Sequence, residues 1–167
     1  AQTSILSARE VPVTGGNTEF VSMRAVYAEL PEDLRQAAED RVAIHDFAHS
    51  RDKVDPSLMT DSERSALPPV RQAMVLDQGR NLGPSLYIGS HVSHVEGMTK
   101  SESRKLIDRL LSFATQEQFI YCHTWCLHDL VIWDNRSVIH RAQPFVNHEE
   151  RRRMVRTTIA GVTPTVK

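Results

Sequence analysis

The stretch that decides the fold is Leu130-Val131-Ile132-Trp133-Asp134-Asn135-Arg136-Ser137-Val138-Ile139-His140. Two short apolar runs, Leu130–Trp133 and Ser137–His140, lie on either side of polar residues that are typical of a turn. Runs of this length, repeated along a chain with turns between them, are typical of a β-sandwich or a β-barrel. The stretch therefore predicts two successive strands, with His140 at the end of the second.

Outward from this stretch, the chain alternates further short strands with a few helices. Five more strands are predicted, at Ser4–Val13, Thr18–Val21, Ser85–Gly89, Phe119–Leu127 and Arg151–Ala160. Three helices are predicted, at Met23–Leu30, Pro31–Val42 and from Thr99, where Thr99-x-x-Glu102 is a capping box that starts a helix. The pattern predicts a mainly β fold in which the helices form insertions.

One segment, His49–Pro69, is polar and is interrupted by Pro56, Pro68 and Pro69, which predicts a long loop. A loop of this length in a compact domain is usually functional or mobile, so we expect a mobile lid that closes over a site.

Length and composition restrict the class of protein. The chain has 167 residues, 40% of them apolar, and a net charge of −1 from 20 Lys+Arg against 21 Asp+Glu. These values fit one domain without a nucleic-acid partner, because nucleic-acid binders carry a basic excess. The chain shows neither an apolar run long enough for a membrane span nor a secretory signal, and two cysteines are too few for a disulfide framework. We therefore expect a cytoplasmic protein; a homo-oligomer stays open.

Two arginines share one face of the last predicted strand. Arg152 and Arg156 are four residues apart, roughly 13 Å along a strand, and side chains at this spacing point to the same side. If that side is the interior of the fold, each guanidinium needs an anionic partner, such as a small carboxylate or sulfonate. The alternative is a solvated edge strand that charged side chains protect from aggregation.

The histidines and cysteines leave several interpretations open. An imidazole at a strand end, such as that of His140, binds a metal, transfers a proton or is simply a structural histidine. Cys122, Cys126 and His128 allow a zinc site, but no second cysteine pair completes one, which favours ordinary packing. His45 and His49 lie one helical turn apart, and a role other than metal ligand is favoured for both.

Taken together, these residues resemble a known enzyme family. Trp133-Asp134-Asn135-Arg136, His140, and Arg152 and Arg156 at 12 and 16 residues beyond it are similar to the C-terminal half of the iron(II)/2-oxoglutarate dioxygenases. Within that group the chain resembles the taurine dioxygenase and 2,4-dichlorophenoxyacetate dioxygenase family. Supporting matches are Gly15-Gly16-Asn17-Thr18-Glu19-Phe20, Leu86-Tyr87-Ile88-Gly89, Gly97-Met98 and Ala114-Thr115-Gln116.

The resemblance implies a fold and a set of roles. The fold is the double-stranded β-helix, or jelly roll. Iron(II) is held by two histidines and one carboxylate, of which His140 is one, and no catalytic side chain is assigned beyond the metal site. Arg152, with the hydroxyl of Thr18, binds the far carboxylate of the cosubstrate 2-oxoglutarate, and Arg156 binds the acid group of the substrate.

The family's first metal motif, His-x-Asp or His-x-Glu, precedes the Gly-Gly-x-Thr segment and has no counterpart there in this chain. One internal match, His94-Val95-Glu96, falls in the connection before the Thr99 helix, where loop polarity explains it. We therefore expect residues 1–167 to form a single dioxygenase domain that is incomplete at its N-terminus.

The resemblance also implies an activity: O2-dependent hydroxylation of a small anionic organic substrate, with conversion of 2-oxoglutarate to succinate. An aryloxyalkanoate is slightly preferred as the substrate, and a sulfonate or an alkyl sulfate fits the same mechanism. The alternative is a non-catalytic jelly-roll barrel that binds a small organic acid through Arg152 and Arg156.

Overall fold

The computed structural model describes residues 1–79, 82–146, 150–161 and 164–166. The strands in this part of the chain are β1 (Thr3–Glu10), β2 (Thr18–Ser22), β3 (Val42–His45), β4 (Val70–Ala73), β5 (Val75–Asp77), β6 (Pro84–Leu86), β7 (Val92–Val95), β8 (Ile120–His123), β9 (Leu130–Asp134), β10 (Val138–Ala142) and β11 (Arg153–Ile159). The helices are α1 (Met23–Glu29), α2 (Glu32–Ala38), α3 (Phe47–Asp52), α4 (Asp61–Ala66) and α5 (Lys100–Ala114), with 3-10 turns at Pro56–Leu58 and Glu117–Phe119. The predicted mainly β fold with helical insertions is confirmed.

Two antiparallel sheets face each other. The first has the strand order β11-β1-β9 and the second has the order β10-β2-β8. Phe20 on β2 meets Trp133 on β9 with ring centroids 5.3 Å apart, edge to face, which is a favourable aromatic geometry. The space between these two sheets, which we call the sheet interior, also receives the buried residues Ser4 and Ala8 of β1.

A second region is mainly apolar. The sheet β4-β3-β7 and the hairpin β5-β6 pack with α1, α2 and α5. The buried side chains between them, which we call the apolar core, are Val21, Met23, Val26, Tyr27, Leu30, Leu34, Ala38, Ala43, Met74, Leu86, Ile88, Val92, Val95, Leu106, Ile107, Leu110 and Ala114. Burial of these groups is the main stabilising contribution to this half of the molecule.

Helix α5 begins as its sequence predicts. The backbone N–H of Glu102 donates to Thr99 Oγ1 at 3.2 Å, and the backbone N–H of Thr99 donates to Glu102 Oε2 at 2.9 Å. Both halves of the capping box are therefore present and satisfy free donors at the helix N-terminus. None of the helices in the described part of the chain combines the length and the hydropathy that a membrane span requires.

The segment His49–Pro69 differs from its prediction as a loop. It contains most of α3, the turn Pro56–Leu58 and all of α4. Asp46 caps α3 by accepting from the backbone N–H of His49, and Thr60 forms a capping box with Glu63 at the start of α4. These short local signals outweigh the prolines, since Pro56 begins the 3-10 turn and Pro68 and Pro69 follow α4, so none of them interrupts an α-helix. The mobility of this segment stays a prediction.

Other boundaries moved because of turns that the periodicity did not reveal. The helix predicted to reach Val42 ends at Ala38, where Asp40 takes a positive φ of 55° and a turn leads into β3. His45 thus ends a strand and His49 lies in α3, so the two are not on one helix. The strand predicted over Phe119–Leu127 stops at His123 for the same reason, since His128 takes a φ of 74° in the turn before β9.

Candidate active site

His140 lies on β10 directly opposite Phe20 of β2, so both side chains share one side of their sheet. Its ring stacks on Phe20 with centroids 6.0 Å apart and meets Trp133 edge to face at 4.7 Å. Among the described residues, neither ring nitrogen of His140 has a hydrogen-bond partner. The imidazole is therefore held by aromatic packing and keeps its nitrogens free for a ligand.

A cavity of about 490 Å³ opens beside His140. Arg156 lines it from β11, His45 from the end of β3, and Tyr87 and His91 from the connection between β6 and β7. Tyr87 stacks on His45 with ring centroids 4.9 Å apart. The cavity thus combines one guanidinium, three imidazoles and an aromatic ring.

The three cavity histidines favour the neutral form. Burial lowers the pKa of His140, and the charges of Arg156 and His91 lower it further. Burial also lowers the pKa of His45 to about 4, with the His91 charge as a second cause. His91 follows the same direction because it is partly buried and lies near Arg51 and Lys53. Near neutral pH these side chains therefore offer uncharged nitrogens.

Arg152 lies immediately before β11. The sequence had predicted it within the strand. Its Nε donates to the carbonyl oxygen of Gly16 at 2.8 Å, and its Nη2 donates to Thr18 Oγ1 at 3.3 Å. Burial lowers the pKa of Arg152, and among the described residues no carboxylate is paired with it. The guanidinium is therefore fixed in place but keeps donors for an external anion.

Gly16 permits this approach. It has a φ of +65°, and a Cβ built on it would lie 2.9 Å from Pro12 Cγ and 3.0 Å from Arg152 Cδ. A larger residue would push the arginine aside, and the left-handed φ would strain any side chain. The Gly15-Gly16 pair flagged in the sequence as a turn thus also makes room for Arg152.

Thr18 is buried at the start of β2 and accepts two hydrogen bonds. One comes from Arg152, and the other comes from the indole Nε1 of Trp125 at 2.9 Å. Trp125 is also buried, although it lies in the turn after β8. The prediction that Trp125 lies on a strand is wrong, because β8 ends at His123.

The structure brings the four predicted site residues together in two adjacent groups. Thr18 and Phe20 lie two residues apart on one side of β2, so Thr18 is about 7 Å along the strand from the level of His140. Arg156 lies opposite Leu6 of β1, and Leu6 shares one side of that strand with the buried residues Ser4 and Ala8. Arg156 also lines the cavity with His140. Thr18 and Arg152 do not line that cavity, so the two arginines occupy separate places.

The residues present fit part of an iron site. The free, neutral imidazole of His140 is a suitable ligand, but within the described ranges no three His, Cys, Asp or Glu side chains cluster as a metal site. Glu96, part of the internal His94-x-Glu96 match, pairs instead with Arg71 at 2.6 Å, and His94 lies within β7 rather than in a loop. Cys122 and Cys126 are free and exposed, with only Cys122 on a strand.

Sequence reasoning missed several residues of the site. His45 was considered only as a metal ligand, Tyr87 only as part of a strand and of a match to the family, and His91 was not considered. The Trp125 contact joins residues 107 positions apart, which no local pattern reveals.

Comparison with known proteins places this arrangement in a family. The profile of the Taurine catabolism dioxygenase TauD, TfdA family matches residues 1–158. An alpha-ketoglutarate-dependent 2,4-dichlorophenoxyacetate dioxygenase of Burkholderia sp. (strain RASC) is 40% identical over 161 residues, covering 96% of this chain and 54% of that protein. A protein of the same description from Cupriavidus pinatubonensis (strain JMP 134 / LMG 1197) is 42% identical over 158 residues, covering 95% and 55%.

A solved structure agrees. The crystal structure of AAD-2 in complex with Mn(II) and N-oxalylglycine superposes with a TM-score of 0.91 at 41% identity, covering 100% of this chain and 66% of that one. The predicted jelly roll is therefore confirmed. The chain spans about half the length of the curated relatives it matches. As its sequence suggested, the chain belongs to the TauD, TfdA family of dioxygenases.

Proposed function

We propose that this chain forms the C-terminal part of an iron(II)/2-oxoglutarate-dependent dioxygenase that hydroxylates a small anionic organic substrate. The observation that carries the proposal is that two guanidinium groups occupy separate positions near the imidazole of His140. Arg152 is held by Gly16 and Thr18 and has no carboxylate partner within the described ranges, and Arg156 lines the cavity with His140. Two separated guanidiniums suit two different anions, a cosubstrate and a substrate.

Arg152 and Thr18 would hold the distal carboxylate of 2-oxoglutarate. The guanidinium is oriented by Gly16 and Thr18, which reduces the entropy lost when it binds an anion. A partly buried cation without a charged partner gains most from a carboxylate, because charge-assisted hydrogen bonds strengthen away from water. The contacts of Arg152 with Gly16 and Thr18 support this role.

His140 would be one of three iron ligands. We propose that the other two come from polypeptide outside this sequence, since the relatives are about twice as long as the match and the described residues hold no complete ligand set. When bound, iron(II) would supply the activation of O2 that is coupled to conversion of 2-oxoglutarate to succinate and carbon dioxide. Phe20 and Trp133 would keep the imidazole of His140 oriented toward that metal.

Arg156 would bind the acid group of the primary substrate and so place a C–H bond beside the metal. The cavity also offers Tyr87, Ile88 and Val138 to an apolar or aromatic body. This combination supports an aryloxyalkanoate, the class to which the substrate named for both relatives belongs. A sulfonate or an alkyl sulfate presents an anion to the same arginine.

The two free cysteines agree with the cytoplasmic location that we propose.

The test is anaerobic titration of the protein in its full natural length with iron(II) and 2-oxoglutarate. We expect a metal-to-ligand charge-transfer band in the wild type and none in His140→Ala, while His94→Ala keeps the band. If the wild type shows no band, the proposed activity is wrong. The non-catalytic acid-binding barrel would then be favoured, as the incomplete ligand set among the described residues already allows.

The substrate assignment has its own test. Candidate acids should stimulate succinate formation, and Arg156→Ala should abolish the stimulation while 2-oxoglutarate still binds. An aryloxyalkanoate should yield a phenol, whereas a sulfonate should release sulfite. Stimulation by uncharged compounds alone would contradict the role of Arg156.

A further inference from the structure

The hydroxyl of Thr18 has both of its lone pairs occupied by donors. The indole Nε1 of Trp125 lies 2.9 Å from Thr18 Oγ1, and Arg152 Nη2 lies 3.3 Å from it. Neither partner can accept a hydrogen bond, because an indole N–H and a guanidinium only donate. The single hydroxyl hydrogen of Thr18 must therefore point away from both, toward a third position.

Among the described residues, no acceptor takes that hydrogen. Thr18 is only 3% exposed, so a hydroxyl hydrogen without an acceptor is costly there. A carboxylate oxygen bound to Arg152 would lie close to Thr18 Oγ1, because Arg152 Nη2 is 3.3 Å from that oxygen, and would supply the missing acceptor.

Resting on the proposed function, we infer that Trp125 is a positioning residue that directs the Thr18 hydroxyl toward the distal carboxylate of 2-oxoglutarate. If the indole N–H is lost, one lone pair of Thr18 becomes free and its hydrogen can rotate into other orientations. Trp125 then acts on the ligand only through Thr18. Loss of the Trp125 N–H should therefore weaken the binding of 2-oxoglutarate and leave the binding of the primary substrate at Arg156 unchanged.

The turn that carries Trp125 is itself held rigid. The ring of His123 meets the Trp125 ring edge to face, with centroids 4.5 Å apart, and His123 Nε2 lies 3.1 Å from Asp129 Oδ2. The same carboxylate oxygen accepts the backbone N–H of Cys126 at 2.8 Å. Trp125 is therefore enclosed between fixed groups, as a positioning residue must be.

A double-mutant cycle tests the inference on the iron-loaded protein in its full natural length. We would measure the Kd for 2-oxoglutarate from the anaerobic charge-transfer band, and KM and kcat for both substrates. Trp125→Phe should raise the Kd about 3- to 10-fold, the loss of one buried hydrogen bond, with the KM for the primary substrate within about twofold. In a Thr18→Val background the same change should alter the Kd less than about twofold, whereas Thr18→Ser should preserve the full effect.

Equal effects of Trp125→Phe in the Thr18→Val and wild-type backgrounds would overturn the inference, because they would show a packing role. An unchanged Kd in Trp125→Phe would overturn it too. If Trp125→Phe does not fold, the benzothienyl analogue of tryptophan at this position keeps the ring shape, lacks only the N–H, and enters the same cycle. Failure of the wild type to bind 2-oxoglutarate would instead refute the proposed function.

Discussion

The apolar core and the sheet interior contain residues that are neighbours in the chain, but they differ in the kind of side chain that they bury. On β2, Val21 is buried in the apolar core, whereas Thr18 and Phe20 face the sheet interior. In the apolar core, aliphatic side chains fill the space. In the sheet interior and its cavity, Arg152 has no carboxylate partner and the ring nitrogens of His140 have no hydrogen bond, as far as the described part of the chain shows. The difference supports the proposal that the sheet interior binds small molecules, whereas the apolar core mainly contributes stability.

The largest change in stability is expected when the apolar core loses a large side chain. Leu110 is fully buried in α5, so Leu110→Ala should lower the free energy of unfolding by about 2–5 kcal/mol. Urea unfolding measures this loss, and 2-oxoglutarate affinity at the folded state should hardly change. The control Leu67→Ala removes a half-exposed side chain and should stay within about 0.5 kcal/mol. Similar losses in both variants would contradict the assignment.

The converse change alters binding and leaves stability nearly intact. Arg152→Lys keeps the charge but loses the fork that reaches Gly16 and Thr18. Loss of a charge-assisted bond worth about 1.5–3 kcal/mol should raise the KM for 2-oxoglutarate roughly 10- to 150-fold. Arg153→Lys is the matched control, since Arg153 pairs with Glu10 at the surface. An unchanged KM in Arg152→Lys would refute the role of Arg152.

A third prediction concerns the stability cost of keeping free histidines. The pKa of His45 is about 4 in the folded protein against about 6.5 when unfolded. The unfolded chain therefore takes up the proton first, and stability falls as pH drops from 6.5 toward 4. At pH 5 this loss should be about 1–2 kcal/mol.

His45→Phe should remove that part of the acid destabilisation, since it keeps an aromatic ring against Tyr87 without a titrating group. The measurement is the free energy of unfolding at pH 5 and at pH 8. The pH 8 value serves as the internal control, because His45 is neutral there in both states. Equal differences between the two pH values in the variant and the wild type would contradict the prediction.

The smallest effect is expected at the start of α5, whose apolar face belongs to the apolar core. Thr99→Ala removes the capping hydroxyl and should cost about 1 kcal/mol. Ser101→Ala, at an exposed position in the same turn, should cost much less. Thermal unfolding of both variants separates the two, and equal shifts in Tm would show that the cap contributes nothing.

Local patterns alone were enough for much of the architecture. Short runs of apolar residues beside turn signals predicted β1, β2, β9 and β10 within a few residues, and the capping box predicted the start of α5. These features depend on neighbours in the chain, whose chemistry is visible in sequence. The short strands β3 and β7 were missed because they lack such patterns and owe their conformation to pairing with each other.

The candidate site, like the fold, was predicted only in part from the sequence. His140, Arg152 and Arg156 were noted from their positions on predicted strands, which left alternatives open. Their roles, and the role of Thr18, were implied by the family resemblance. The cavity that joins His45, Tyr87 and His91 to them, and the bond from Trp125 to Thr18, were decided only by the tertiary structure. These contacts join residues tens of positions apart, so they depend on strand register and turn geometry, which are set by how the whole chain packs.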